Sequence, residues 1–167
     1  DDLWHPTNLE KQLAVFRCNP ELGLVYSNFR LIDPDGRVMK TTPRFQVEGW
    51  VYVRTIAHNI VGNGSAIMFR RDAALAVGGY DSRLRQAGAE ACEDYLFQIQ
   101  VARHHPFGVV PEPVIGYRIR REAMSIDAPA GRRSQRASIA SVASTIIGVK
   151  RMRLGRAKAG AMMRRWR

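Results

Sequence analysis

The segment from Val77 to Phe97 constrains the fold of this chain strongly, because it joins a tight turn to the start of a helix. Its glycine pair, Gly78-Gly79, permits backbone angles that other residues avoid, and therefore predicts a turn. The acidic pair Glu93-Asp94 opens an apolar segment, and carboxylates at a helix start are favoured by the free N–H groups there. Two interpretations of this pair stay open: a helix cap, or a carboxylate that acts as a general base in a cleft.

A second acidic pair, Asp1-Asp2, occupies the first two positions and precedes Leu3-Trp4 and a helix. Carboxylates in a loop after a strand would lie at the sheet edge where open α/β proteins bind ligands. Adjacent hard oxygen ligands suit Mg²⁺ or Mn²⁺ bridged to substrate phosphates. A divalent metal (Mn or Mg) is therefore one interpretation of the pair, and a solvated loop end is the other.

Apolar spacing and runs of β-forming residues predict a mixed order of elements. We expect helices at Pro6–Arg17, Val51–His58, Asp72–Val77 and Glu93–His104. We expect strands at Gly23–Ile32, Arg37–Lys40, Ser65–Arg70, Phe107–Val110 and Val114–Ile119, and loops at Thr41–Glu48 and Asp81–Ala91. This order lacks the regular alternation of a complete doubly wound domain. It fits half of an α/β protein that packs on further strands, so we expect the chain to be part of a longer protein.

Charge divides the chain into two parts. Residues 1–127 carry 15 acidic and 15 basic residues, whereas residues 128–167 carry 11 basic residues and no acidic one. The net charge of +11 therefore lies in the tail, and the neutral body argues against a nucleic-acid-binding domain. No apolar run is long enough to cross a bilayer, and the two cysteines suggest no oxidising compartment. We expect a cytoplasmic protein.

The basic tail has apolar residues at helical spacing, among them Ile139, Val142 and Ile146. A basic amphipathic helix of this kind can lie on an anionic membrane surface, which would place the protein at the inner face of the membrane. The alternative is a solvated, frayed chain end, which the glycines Gly148 and Gly155 favour.

Several stretches, taken in order, resemble glycosyltransferase family 2, in which an aspartate pair is followed by an aromatic residue, a proline and a helix. These stretches are Asp1–Glu10, Gly23–Asn28, Asn63–Arg71, Gly78–Asp81, Glu93–Tyr95, Val110–Glu112 and Tyr117-Arg118. The resemblance implies a partial GT-A fold, the α/β fold of nucleotide-diphospho-sugar transferases, without its N-terminal nucleotide-binding strands; the charge and the apolar spacing add a basic helical tail. Residues 1–127 would form the acceptor and metal side of the catalytic domain, and residues 128–167 the tail.

The same resemblance implies a metal-assisted, inverting sugar transfer. The donor would be a nucleotide-sugar, and the acceptor a saccharide, a lipid-linked compound or another hydroxyl compound; no nucleic acid is expected. Asp2, aided by Asp1, would hold the metal. Asp94 would take the acceptor proton with Glu93 beside it, and Gly78-Gly79-Tyr80 would shape the acceptor side. Without the strands that bind the nucleotide, the piece alone would be inactive.

One departure from the family and two other functions stay open. Many members carry a histidine after the position of Tyr117-Arg118, where this chain has Arg120 and Arg121. The chain could be a non-catalytic interaction module, a degenerate transferase domain whose tail binds a membrane or a polyanion. It could also be a metal-dependent phosphoryl-transfer enzyme that uses the same acidic pairs. Asp2 and Asp94 facing one cleft would favour sugar transfer.

Overall fold

The computed structural model describes residues 1–41, 46–82 and 93–120. The helices are α1 (Asn8–Cys18), α2 (Tyr52–Ala57), α3 (Arg71–Ala76) and α4 (Glu93–Ala102), and a 3₁₀ turn covers Gly64–Ala66. The strands are β1 (Leu3–Trp4), β2 (Leu24–Ile32), β3 (Val38–Thr41), β4 (Ile67–Phe69) and β5 (Phe107–Arg118). This mixture of a sheet and helices confirms the predicted α/β class. No helix within the described ranges is both long and apolar enough to span a membrane.

Some predictions lie outside the described residues. They are the basic helical tail at 128–167, its binding to a membrane, and most of the loop predicted at Asp81–Ala91. Four residues of the loop predicted at Thr41–Glu48, residues 42–45, also lie outside.

One sheet contains the five strands of the described residues, in the order β1-β5-β2-β3, and β4 pairs with β2 as well. The central pair, β2 and β5, is parallel, with a register that runs from Leu24 opposite Phe107 to Ile32 opposite Arg118. The other pairs are antiparallel. Because β2 and β5 run in the same direction, their carboxyl ends meet at one edge of the sheet, the edge at which open α/β sheets bind ligands.

Helices cover both faces of β2, whose successive side chains point to opposite sides of the sheet. Leu24 and Tyr26 pack in one cluster with Phe97 of α4. Val25 packs in another cluster with Val15 of α1. A strand covered on both faces needs a continuous apolar sequence, and this explains why β2 begins with six consecutive buried residues.

The strands predicted at Phe107–Val110 and Val114–Ile119 are a single strand, so the predicted break between them was wrong. β5 passes through Pro111-Glu112-Pro113, and its register against β2 shifts there. Asn28 of β2 donates a side-chain hydrogen bond to the Pro111 carbonyl at 2.7 Å. A bulge of this kind accommodates prolines in a strand because the irregular residues are not required to donate to the ladder.

The short strand β1 was not predicted from the sequence. Leu3 lies opposite Gly116 and Trp4 opposite Ile115, in antiparallel pairing with β5. This pairing brings the start of the chain, including Asp1-Asp2, to the carboxyl end of β5.

Candidate functional site

Asp94 is the second residue of α4 and is half-buried. Its Oδ1 accepts a hydrogen bond from the backbone N–H of Tyr95 at 2.7 Å. Burial is the largest influence on the pKa of Asp94 and raises it; the Tyr95 bond lowers the pKa, and the charge of Glu93 adds a smaller increase. A carboxylate with a raised pKa is a better proton acceptor near neutral pH than an ordinary one.

The 3₁₀ turn forms a wall beside this carboxylate. A Cβ atom built on Gly64 would lie 3.2 Å from Asp94 Oδ2, closer than ordinary van der Waals contact. Glycine at position 64 therefore leaves space for the Asp94 carboxylate. The Cβ of any other residue would reduce this space. The turn itself is held by Asn63, whose Oδ1 accepts a hydrogen bond from the backbone N–H of Ser65 at 2.7 Å.

The turn that is predicted to shape the acceptor side carries Tyr80 onto α4. Gly78 and Gly79 have φ angles of +82° and +69°, a region that glycine adopts readily and other residues avoid. Tyr80 follows them and stacks on Phe97 of α4, with 4.8 Å between ring centroids and 25° between ring planes. Burial raises the pKa of Tyr80, and the charge of Asp94 raises it further. Tyr80 therefore lies within electrostatic range of Asp94, and the role of the turn on the acceptor side stays a prediction.

Asp1 and Asp2 are both engaged by arginines of β5 and the residues after it. Asp2 is half-buried, and its Oδ1 accepts a hydrogen bond from the backbone N–H of Arg118 at 2.9 Å. Asp1 is exposed, and its Oδ2 forms an ion pair with Arg120 Nε at 3.1 Å. The Arg118 guanidinium donates to the backbone carbonyls of Asp1 at 2.8 Å and of Asp33 at 2.9 Å. It therefore ties the start of the chain to the turn after β2.

Packing contacts hold both acidic pairs near the same part of the sheet, the carboxyl-terminal halves of β2 and β5. Ala66 of the 3₁₀ turn packs in one cluster with Phe29 and Ile115, and Ile115 is the register partner of Trp4. Both pairs are therefore held near the carboxyl-terminal halves of β2 and β5. Within the described ranges, no hydrogen bond or ion pair joins one acidic pair to the other. That the two pairs face a single cleft stays a prediction.

The sequence that folds in this way matches the model of a family described as Glycosyltransferase like family 2, over residues 1–162. The chain belongs to glycosyltransferase like family 2. A comparison with curated proteins found no match. The matched range includes both acidic pairs, the 3₁₀ turn and the turn at Gly78-Gly79.

Membership of glycosyltransferase family 2 indicates a general role in glycosyl transfer, with a nucleotide-sugar donor and an acceptor. Such a reaction requires that an acceptor hydroxyl lose its proton and that a charged diphosphate leave the donor. Asp94 has the burial and the raised pKa that suit the first requirement. Asp1 and Asp2 have the oxygen atoms that suit a cation at the second.

Asp1 and Asp2 supply carboxylate oxygens, the type of ligand that a hard divalent cation prefers. The Arg118 N–H fixes Asp2 Oδ1, and among the described residues Asp2 Oδ2 has no hydrogen-bond partner. Arg120 pairs with Asp1 Oδ2, and the other oxygen of Asp1 has no partner among residues 1–41, 46–82 and 93–120. No group of three or more His, Cys, Asp or Glu side chains placed to hold a metal occurs in the described part of this family-2-like domain.

Sequence reasoning did not single out three polar or small residues of the 3₁₀ turn and of α4: Asn63, Gly64 and Gln98. Gln98 is fully buried one helical turn after Asp94, and neither atom of its amide has a partner among the described residues. The Asn-Gly dipeptide was the available signal, because asparagine caps turns readily. The contact of Gly64 with Asp94 depends on how the 3₁₀ turn packs against α4, which no local pattern specifies.

Proposed function

We propose that this protein transfers a sugar from a nucleotide-diphospho-sugar to an acceptor hydroxyl, with inversion at the anomeric carbon. Asp94 acts as the general base with Glu93 beside it, and Asp2 together with Asp1 binds a divalent metal. Gly78, Gly79 and Tyr80 shape the acceptor side. The acceptor is a saccharide, a lipid-linked compound or another compound with a free hydroxyl.

The surroundings of Asp94 are the observation that supports this proposal best. A general base needs a carboxylate oxygen that is free to take a proton and a pKa nearer to neutrality than that of an exposed aspartate. Oδ1 of Asp94 is occupied by the Tyr95 N–H, whereas Oδ2 faces the side-chain-free Gly64. Burial raises the pKa of this carboxyl group.

A single displacement accounts for the proposed inversion. The acceptor oxygen forms a bond to the anomeric carbon on one face, while the bond from that carbon to the diphosphate oxygen breaks on the other face. The electron pair of the broken bond leaves with the nucleoside diphosphate, and the hydroxyl proton passes to Asp94 Oδ2. The aromatic surface of Tyr80 stacked on Phe97 gives the acceptor an apolar contact beside the base.

A metal bound by the chain start would supply positive charge to the departing diphosphate. Asp2 would contribute the oxygen that Arg118 leaves unoccupied, because the backbone bond to the other oxygen orients the carboxylate. Asp1 would bind the metal less strongly than Asp2, because Asp1 is exposed and already paired with the guanidinium of Arg120.

A non-catalytic interaction module is the second candidate function, and the ion pair between Asp1 and Arg120 is the observation that favours it. A guanidinium bound to a carboxylate competes directly with a metal ion for the same oxygen. In that case the basic tail would be the part that binds a partner, either an anionic membrane surface or another polyanion.

Substitution of Asp94 tests the proposed reaction in the complete protein. With a panel of UDP-, GDP- and dTDP-sugars, Asp94→Asn should lower kcat by about 10²–10⁴-fold, the usual contribution of a general base. Donor affinity, measured by calorimetry, should stay the same because the amide removes only proton acceptance. Asp72→Asn is the matched control, since Asp72 lies on α3 and pairs with Arg70. Equal turnover in both variants would remove Asp94 from the reaction.

The same experiment separates the second candidate function. If the unaltered protein binds none of the donors and transfers no sugar, yet sediments with vesicles that contain anionic lipid, the interaction module is the better description.

A further inference from the structure

Tyr95 holds the proposed base with its backbone and the end of a neighbouring helix with its side chain. Its backbone N–H donates to Asp94 Oδ1 at 2.7 Å. Its buried ring packs against Tyr52 and Ile56 of α2. Its hydroxyl donates to the Thr55 carbonyl at 2.7 Å, with the Ile56 carbonyl at 3.2 Å. One residue therefore connects the Asp94 carboxylate to the end of α2.

The two carbonyls that face this hydroxyl belong to the last turn of α2. Carbonyls in the last turn of a helix have no amide partner within the helix, so a buried one needs a donor from elsewhere. The Tyr95 hydroxyl supplies such a donor. Because a hydrogen bond acts over a narrow range of distances, it fixes the end of α2 against α4 more closely than apolar packing alone would.

The chain that leaves α2 leads to the wall beside the base. Ile60 and Val61 are buried in an apolar cluster that includes residues of α4. Gly64 follows, and a Cβ built on it would lie 3.2 Å from Asp94 Oδ2. This segment is thus packed on α4 at its start by the Tyr95 hydroxyl, in its middle by apolar contacts and at its end by the approach of Gly64 to the carboxylate.

We propose that Tyr95 is a positioning residue for the general base: its N–H orients Asp94 Oδ1, and its hydroxyl sets how closely the 3₁₀ turn approaches Oδ2. This inference rests on the proposed function. Because Tyr95 is buried, it acts on the reaction through the position and the hydration of Asp94. Without the hydroxyl, α2 and the turn are free to move away from α4, which admits water to Oδ2 and lets the carboxylate rotate.

Tyr95→Phe in the complete protein is the direct test, because phenylalanine keeps the ring and the backbone N–H and removes only the hydroxyl. We expect kcat to fall about 10–100-fold, since small displacements of a catalytic group have large effects. The acceptor KM and the donor Kd, measured by calorimetry, should stay the same. The acid limb of the pH profile of kcat/KM should move to lower pH, because burial raises the pKa of Asp94 and added hydration would lower it.

The charged neighbours of Asp94 are unchanged in this variant. Glu93 precedes Asp94 on α4, and Tyr80 lies beside that helix. Tyr52 of α2 packs against the cluster that contains Tyr95. The 3₁₀ turn, Gly64–Ala66, contributes no titratable side chain. A shift of the acid limb in Tyr95→Phe therefore reports the hydration of Asp94 rather than a change in the surrounding charge.

Tyr26 offers a matched control. It is also fully buried, and its hydroxyl donates to the Val47 carbonyl at 2.9 Å, before α2 rather than at its end. Tyr26→Phe therefore removes the same chemical group from a similar bond at a different place. We expect both variants to lower the melting temperature, but only Tyr95→Phe to lower kcat and move the acid limb. Equal changes in both variants would mean that a general loss of stability is the cause, and would overturn the positioning role.

A double-mutant cycle separates this inference from the function on which it rests. If Tyr95 acts through Asp94, Tyr95→Phe should lower the residual kcat of the Asp94→Asn protein by about twofold or less. A loss as large as in the unaltered protein would mean that Tyr95 acts through another group, and the inference would be wrong although the base stands. If the unaltered protein transfers no sugar from any donor of the panel, both proposals are overturned.

Ile56→Val keeps the inference testable should Tyr95→Phe fail to fold. It removes one methylene from the contact between α2 and Tyr95 and leaves the hydroxyl in place. We expect a smaller shift of the acid limb in the same direction. An acid limb that stays in place, in a variant whose melting temperature falls, would show that the fit between α2 and α4 does not control Asp94.

Discussion

Asp94 lies where its charged form is less stable than it would be in water, because burial raises its pKa above the ordinary value of 3.8. The folded state therefore holds the proton to a higher pH than the unfolded state does. Between 3.8 and the raised pKa, the folded state binds more protons, so the free energy of unfolding falls as the pH rises. The property that suits Asp94 to act as a base thus lowers stability at neutral pH.

Asp94→Asn should therefore stabilise the protein at pH 7 while it lowers turnover. The amide carries no charge and can still accept the Tyr95 N–H, so we expect the melting temperature to rise by roughly 2–4 °C at pH 7 and to match that of the unaltered protein below pH 3.8. Thermal unfolding by circular dichroism at both pH values measures this. Asp72→Asn should lower the melting temperature at pH 7, because the hydrogen bond from Arg70 lowers the pKa of Asp72 and so stabilises its charged form in the folded state. If Asp94→Asn raised the melting temperature equally at both pH values, the charge of Asp94 would not be the cause of the stabilisation.

Gly64 provides a second test on the scale of single residues. The methyl group of Gly64→Ala would lie 3.2 Å from Asp94 Oδ2 and would displace the carboxylate by a few tenths of an ångström. We expect kcat/KM to fall about 10–100-fold, since small misplacements of a catalytic group have large effects. In a double-mutant cycle, Gly64→Ala should cause little further loss in the Asp94→Asn protein. Additive losses would mean that Gly64 acts through another group.

On the scale of elements, the end of α3 determines where Tyr80 lies. The N–H of Gly79 donates to the Ala74 carbonyl at 2.9 Å, and the N–H of Gly78 donates to the Leu75 carbonyl at 3.1 Å. The bond from Gly79 and the positive φ of Gly78 are typical of a glycine-terminated helix. The reversal that they produce carries Tyr80 back onto α4, beside Asp94.

Gly78→Ala isolates this conformational requirement. A Cβ at position 78 would meet no atom of the described residues within 4 Å, so we expect the loss of stability to come from the backbone angle. We expect the free energy of unfolding to fall by about 1–2 kcal/mol, and the acceptor KM to rise because Tyr80 shifts. Urea denaturation measures the first effect and steady-state kinetics the second. Gly78→Asn should lower the free energy of unfolding less than Gly78→Ala does, because asparagine tolerates the left-handed region better than alanine. An equal decrease in the two variants would contradict this explanation.

On the scale of the whole molecule, the two ends of the described chain meet at the carboxyl edge of the sheet. β1 pairs with the last part of β5, and Arg118 and Arg120 then bind Asp1 and Asp2. Residues far apart in sequence thus form the candidate metal site, and the charge of Arg120 opposes the charge of the metal.

Mn²⁺ binding, measured by calorimetry without donor or acceptor, tests this arrangement independently of activity. Asp2→Asn should abolish measurable binding, because it removes the charge of the better-oriented carboxylate. Arg120→Gln should tighten binding by up to about fivefold, the equivalent of roughly 1 kcal/mol for an exposed ion pair. Arg37→Gln is the control, since Arg37 pairs with Asp35 in the turn before β3. Tighter binding in both arginine variants would indicate a general charge effect, and no Mn²⁺ binding in the unaltered protein would remove the metal role.

Local sequence patterns predicted most of the elements correctly. The helix predicted at Val51–His58 is α2, and the strand predicted at Gly23–Ile32 is β2, each within one residue at either end. The errors have a common cause. The break expected at Pro111-Glu112-Pro113 and the strand β1 that was not predicted both concern how a strand pairs with β5, and pairing partners lie far away in the sequence.

The sequence by itself determined the α/β class, the positions of the turns and the identity of the acidic pairs, because β-propensity, helical spacing and glycine conformation act over a few neighbouring residues. The tertiary structure alone decided that Gly64 lies against Asp94, that Tyr80 returns to α4, and that Arg120 pairs with Asp1. These contacts arise from the packing of separate elements on one sheet. Packing depends on the shape and burial of the whole assembly, which no short segment of the chain contains.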